Sequence, residues 1–169
     1  MPIALETPNQ PDVVRLIDDL DDYQAGLYPP ESHHKTDLAT LGQPHVLFAV
    51  ARAEVGGPAV GCAAIVLKPG YGEVKRMVVQ PDQRGRGLGR ALLQFLEQQA
   101  RERGCPLLML ETGPLQPEAI ALYSRLGFVR RGPFGDYWDD PLSVFMAKPL
   151  ATAEAGPGDT PGPTPAQNR

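Results

Sequence analysis

The stretch that most constrains this chain runs from Glu73 to Arg90, Glu-Val-Lys-Arg-Met-Val-Val-Gln-Pro-Asp-Gln-Arg-Gly-Arg-Gly-Leu-Gly-Arg. Met77, Val78 and Val79 favour a strand, and Pro81 ends it, because a proline cannot donate to a ladder and biases Gln80 toward extended geometry. From Leu88 the apolar residues recur at Ala91, Leu92, Phe95, Leu96 and Ala100, a helical period. Gly85, Gly87 and Gly89 therefore sit where a strand hands over to a helix N-terminus. Unbonded backbone N–H groups collect there, the helix dipole favours negative charge, and Arg84, Arg86 and Arg90 surround the same turn. The chemistry implied is pyrophosphate binding.

Spacing narrows the ligand. A Walker A loop ends in Gly-Lys-Ser/Thr, which is absent. A Rossmann fingerprint needs Gly-x-Gly-x-x-Gly, but after Gly85 and Gly87 its third position is Arg90. Glu111 nonetheless closes the next candidate strand about twenty residues on, where a ribose-binding acid would stand. A nicotinamide-dependent oxidoreductase therefore stays open as an alternative.

The chain around this stretch mixes strands and helices, with three strands in a row before the glycine loop. Ile3 to Glu6 reads as a short strand, and Val13, Val14, Leu16, Ile17 and Leu20 give a helix from about Asp12 to Ala25. Tyr28-Pro29-Pro30 breaks that helix, and Lys35 to Leu41 suggests a second. Val46 to Ala51 and Val60 to Leu67 form a hairpin that leads into the central strand. After the glycine loop, the helix from Leu88 to Arg103 stops at Gly104, and Leu107 to Leu110 is apolar throughout, as suits a strand covered on both faces. Strand, loop, helix and strand make a βαβ unit, so 73–79 and 107–112 should run parallel. Pro117 opens a last helix, Gly127 closes it, and 128–131 and 142–148 read as two final strands.

The 169 residues suit one domain, expected over 1–150. Residues 151–169 hold no large apolar side chain and should form a disordered Pro/Gly-rich tail. A formal charge of −4, with basic residues clustered only from Lys75 to Arg90, excludes a general nucleic-acid binder. Cys62, Cys105, His33, His34 and His45 have no metal-ligand spacing, so no metal is expected and both thiols should be free. Without a basic, apolar leader or a span-length apolar run, the expected compartment is the cytoplasm, with no membrane partner.

Arg84-x-x-Gly87-x-Gly89 after a strand, followed by Ala119-Ile-Ala-Leu-Tyr123-Ser-Arg-Leu-Gly127-Phe128, resembles the GNAT superfamily of N-acetyltransferases, with the likeness running from Val46 to Leu150. The resemblance implies an α/β (α+β) fold: a mixed, mostly antiparallel sheet of six to seven strands with one parallel βαβ unit and about four helices on both faces. It also implies acetyl-CoA as acyl donor, held by Met77, Val78, Val79, Arg84, Gly85, Arg86, Gly87, Leu88, Gly89, Arg90 and Ala119. A bulge around Met77 to Val79 would free main-chain groups for the pantetheine arm and let the Met77 N–H polarise the thioester carbonyl.

The same resemblance suggests Glu73, fourteen residues ahead of Gly87, as general base, and Tyr123 as proton donor to the departing thiolate. Two-residue periodicity places Glu73 and Met77 on one side of the strand. Gln116 stands where many members carry a cofactor-contacting Asn. Asp21, Asp22, Tyr28, Phe134, Asp136 and Tyr137 are candidate contacts for the acceptor, a small-molecule amine or a peptide amino group. A homodimer is a further implication, and a coenzyme A-binding sensor without catalysis is a second alternative.

Overall fold

The computed structural model describes residues 1–33 and 36–151, so the expected tail, apart from Ala151, lies outside the described residues. The elements run β1 (Ile3–Leu5), α1 (Pro11–Leu27), α2 (Leu38–Leu41), β2 (Val46–Arg52), β3 (Ala59–Lys68), β4 (Tyr71–Val79), α3 (Leu88–Glu102), β5 (Leu107–Thr112), α4 (Pro117–Arg125), β6 (Val129–Arg131) and β7 (Val144–Pro149). The strands form one seven-stranded sheet in the order β1-β2-β3-β4-β5-β7-β6. Only the β4–β5 pair is parallel, as the βαβ reasoning requires; every other neighbour is antiparallel.

Alternation along the strands divides the core between two faces. On β2, Leu47, Ala49 and Ala51 pack with Leu92, Leu96 and Ala100 of α3, with Tyr123 of α4 and with Leu126 just after it. Phe48 and Val50 turn the other way, toward Val13, Leu16 and Ile17 of α1 and Leu41 of α2. Burying each large aliphatic chain is worth roughly 1.5–3 kcal/mol, so the helices are held by their apolar stripes more than by propensity. Among the described residues no helix is long and apolar enough to cross a membrane.

Two irregularities in β4 create the site. First, its parallel pairing with β5 ends at Val74 opposite Leu110, although β4 continues to Val79 and β5 to Thr112, so the strands diverge beyond that point. Second, the β3–β4 register slips between Cys62 and Ala64, opposite Arg76, whose φ of 57° is the one positive value among described non-glycine residues. That left-handed backbone costs about 1–2 kcal/mol for a residue with a Cβ. The bulge thus lies at Arg76 and Met77, one residue earlier than the family resemblance suggested.

The extra residue also breaks the two-residue alternation. Val74, Met77 and Val79 pack with the α3 cluster, whereas Val78 faces α1 and Glu73 meets Tyr137. Glu73 and Met77, expected on one side of the strand, are therefore on opposite faces.

Candidate active site

A cavity of about 240 Å³ fills the wedge between the diverging strands. Val74 to Met77 form one wall, Glu111 to Gly113 the other, and Ala119, Leu122 and Tyr123 of α4 the floor. The far side is closed by Leu20 and Gln24 of α1 and by Tyr28, Ser32 and His33 from the connection after it.

That connection is tied to the rest of the protein at two points and braced once within itself. Leu115 N donates to Tyr28 Oη at 3.1 Å, the His33 ring hydrogen-bonds the Tyr28 carbonyl at 2.8 Å, and Ser32 Oγ donates to Asp140 Oδ2 at 2.6 Å. Tyr28 lies so close over Gly113 that a Cβ there would fall 1.8 Å from its hydroxyl oxygen. Only glycine permits this approach, so Gly113 is what lets the tyrosine form a wall of the cavity.

Glu111 and Tyr123 are two of the ionisable groups that line the wedge. Glu111, at the carboxyl end of β5, has its carboxyl pushed up to about 7, mainly by burial and further by Glu73 and Asp140. Lys75 pulls against this shift, and the Ser143 hydroxyl, buried and short of a full hydrogen bond, pulls more weakly. Tyr123 is 6% exposed, packs edge-on against Phe128, and is raised above the ordinary phenol range by burial and then by Glu111. A carboxyl poised near neutrality beside a protonated phenol can accept one proton while its neighbour supplies another.

At the amino end of α3, Gly85 and Gly87 both take φ of 78°, which a residue with a Cβ adopts only under strain. Gly87 occupies the N-cap without a side-chain hydrogen bond, and the first turn contains no acid. It contains Arg90 instead, which the helix dipole disfavours unless an anion is present. Arg84, Gly85, Arg86, Gly87 and Arg90 are exposed, so no other part of the described chain covers this cradle. Leu88 is buried beneath it, and Gly89 lies against Leu122, where an added Cβ would come within 3.2 Å of Cδ2. The turn adjoins the wedge through Leu122, which touches Gly89 and lines the cavity.

A sequence model of the acetyltransferase (GNAT) family matches residues 13–128. The chain belongs to that family. A relative from Azospirillum brasilense, named IAA acetyltransferase, is 54% identical over 150 residues, covering 88% of this chain and 97% of the relative. A solved structure from Klebsiella pneumoniae subsp. pneumoniae, described provisionally as an acyl-CoA N-acyltransferase, shares 42% identity and a TM-score of 0.75 over 89% of this chain and 97% of its own. An aminoglycoside 6'-N-acetyltransferase complexed with coenzyme A shares the fold, with a TM-score of 0.68 at 20% identity over 89% and 98% of the two chains.

For a GNAT acetyltransferase, the nicotinamide alternative falls away, and the sheet agrees: a single parallel pair among antiparallel neighbours is not a doubly wound sheet. Of the residues singled out in the sequence, Tyr28, Met77, Glu111, Gln116, Ala119 and Tyr123 line the wedge. Val78 is buried under α1, and Val79 packs with the α3 cluster beside Gly89.

Glu73, Asp136 and Tyr137 instead line a second cavity of about 460 Å³, with Lys68 and Lys75. Glu73 is 2% exposed there: Oε1 accepts from Lys68 Nζ at 3.2 Å, and Oε2 from Tyr137 Oη at 2.5 Å with Lys75 Nζ at 3.3 Å. Phe134 is core, packed edge-on against Tyr71, Tyr137 and Phe145. Asp21 is ion-paired with Arg76, and Asp22 is exposed outside both cavities.

In the sequence Glu111 reads only as a ribose-binding acid. The signal that points to it is its place after an apolar run, at the carboxyl end of the strand parallel to the glycine-loop strand, where ligands of α/β units gather.

Proposed function

We propose that this acetyltransferase moves the acetyl group of acetyl-CoA to the primary amine of a small molecule or to an exposed amino group, by direct attack in a ternary complex. The observation that carries the proposal is the wedge itself, in which Glu111, Tyr123 and the bulge at Met77 share one small cavity. The exposed glycine turn at the start of α3 suits the pyrophosphate. The unpaired stretch of β4 suits the amide-bearing pantetheine arm, which would add to it as a short strand.

An alkylammonium with a pKa near ~10.4 has no lone pair to offer at neutral pH. Glu111 takes that proton and the freed nitrogen bonds to the thioester carbonyl carbon; as the C–S bond breaks, Tyr123 gives its proton to sulfur, and the second proton that the nitrogen sheds on becoming an amide restores the phenol. The Met77 N–H polarises the carbonyl as charge builds on its oxygen. At about 240 Å³ for acetyl group and amine together, the cavity favours a slender acceptor.

A second assignment of the base is favoured by one observation: Lys75 lines both cavities and lies 3.3 Å from Glu73, giving Glu73 a route into the wedge through that side chain or water. The test is thiol release from acetyl-CoA with a panel of amines, amino acids, peptides and aminoglycosides, followed against pH. Saturable release that rises through about pH 7 is expected from the Glu111 ionisation. A protein that gives calorimetric heat with coenzyme A yet releases no thiol with any amine would be a sensor, and the catalytic proposal would be withdrawn.

A further inference from the structure

We propose that Arg76 is a positioning residue for acetyl transfer: its side chain, clamped between Asp21 and the carbonyl of Thr36, holds the β4 bulge so that the Met77 N–H points into the wedge. The inference rests on the acetyl-transfer proposal and adds to it what keeps the polarising amide in place. Arg76 is an unusual residue for a left-handed backbone position, which glycine, asparagine or aspartate tolerate better. Its presence there calls for a role of the side chain.

The side chain is 7% exposed and fully engaged. Nη1 pairs with Asp21 of α1, while Nε and Nη2 donate to the Thr36 carbonyl at 3.2 and 2.9 Å. One residue of the sheet is thereby tied to two segments on its α1 side. The main chain is held as well. Cys62, fully buried on β3, directs its thiol at the Arg76 carbonyl at 3.6 Å, and burial pushes that thiol up to about 12, so it stays a donor. In a trans peptide the C=O and the following N–H point in opposite directions. With the Arg76 carbonyl drawn toward β3, the Met77 N–H is aimed away from β3, to the side where β5 has stopped pairing. The clamp also accounts for Asp21, whose charge is spent on Arg76 and not on an incoming amine.

Three variants separate positioning from plain stability. Arg76→Gly tolerates the positive φ and removes the clamp, Asp21→Asn removes the ion pair and leaves the β4 backbone unchanged, and Arg76→Lys keeps the charge without the planar fork. The readouts are kcat, calorimetric affinity for coenzyme A, melting temperature, and the Met77 amide resonance in 15N spectra with acetyl-CoA against coenzyme A. In the parent protein the Met77 amide should shift with acetyl-CoA and far less with coenzyme A.

Arg76→Gly should lose kcat by about tenfold or more, since small misplacements at a reacting centre are costly, with coenzyme A affinity within about twofold and the acetyl-dependent shift gone. Asp21→Asn should lose less, and Arg76→Lys should recover part of the rate. If Arg76→Gly and Asp21→Asn lowered only the melting temperature and kept both kcat and the shift, Arg76 would be structural and the inference overturned. Should the parent release no thiol with any amine, the acetyl-transfer proposal fails by itself. The amide titration still decides this one, because an unchanged shift in Arg76→Gly, or none in the parent, refutes it.

Discussion

Glu73 and Glu111 stand on adjacent strands of one sheet, both drawn away from water, and the protein treats them in opposite ways. Glu73 is surrounded by donors: two lysine ammoniums and the Tyr137 hydroxyl satisfy its two oxygens. Glu111 has burial that Lys75 and, more weakly, the Ser143 hydroxyl offset only in part, and its carboxyl rises to about 7. Desolvation favours the neutral acid, which is what raises the Glu111 carboxyl, while the oxygens of Glu73 are already taken up by hydrogen bonds and ion pairs. The acid that the family pattern marked is the one whose lone pairs are already occupied.

Glu111→Gln puts the largest strain on this contrast. Loss of a general base costs typically 10²–10⁴-fold, so kcat/KM should fall by about that factor, and the inflection near pH 7 should vanish from the rate profile. Stability should move the other way. The Glu111 carboxyl is raised from 4.5 to about 7 on folding, so between those pH values the folded chain holds a proton that the unfolded chain has released. The parent therefore loses stability as pH rises through that window and stays at the lower value above it. The glutamine variant has no such loss and should be more stable than the parent at pH 8, by on the order of 1–3 kcal/mol in urea melts. Retention of the parent rate and pH profile would place the base elsewhere.

Glu73→Gln should give the reverse pattern. It leaves Lys75 and Lys68 without the carboxylate they share, and breaking a buried pair costs about 3–5 kcal/mol; Lys68 reaches solvent, which puts the expected loss near the lower end of that range. Thiol release below the new melting temperature should fall by no more than several-fold. A variant that kept its urea midpoint and lost its rate would instead make Glu73 the base, acting into the wedge through Lys75 or water.

The same contrast explains what could be seen in the sequence. Local signals were sufficient for the elements: Pro81 after Met-Val-Val, the helical period from Leu88, Gly104 and Gly127 as stops, and Pro117 as a start all coincide with observed boundaries within a residue or two. The parallel β4–β5 pair followed from the βαβ order. The insertion of β7 between β5 and β6 did not, because the long loop from Gly132 to Ser143 carries no register information.

At the site the glycine turn and Tyr123 were legible as motifs, whereas the division of the two carboxylates was not. That division depends on a one-residue bulge at Arg76, an ordinary strand arginine by composition, which reverses the alternation that would place Glu73 beside Met77. It depends also on partners distant in the chain, Tyr137 for Glu73 and Tyr28 for the wall beside Glu111.

Tyr123→Phe sharpens the comparison from the other side of the wedge. The ring is part of the core and meets Phe128 at 5.7 Å, so phenylalanine keeps the packing and the melting temperature should change little. Burial and the nearby Glu111 hold the phenol protonated well above neutral pH, so its proton remains available when sulfur leaves. Removing it should lower kcat by about tenfold, less than loss of the base, because a thiolate with a pKa near ~8.5 departs with some help from solvent even without a donor. The defect should shrink as the leaving thiol becomes more acidic. Comparing acetyl-CoA with an acetyl thioester of a thiol of lower pKa, one that keeps the pantetheine arm, should therefore narrow the gap between parent and variant. An equal loss with both donors would mean that Tyr123 shapes the wedge and transfers no proton.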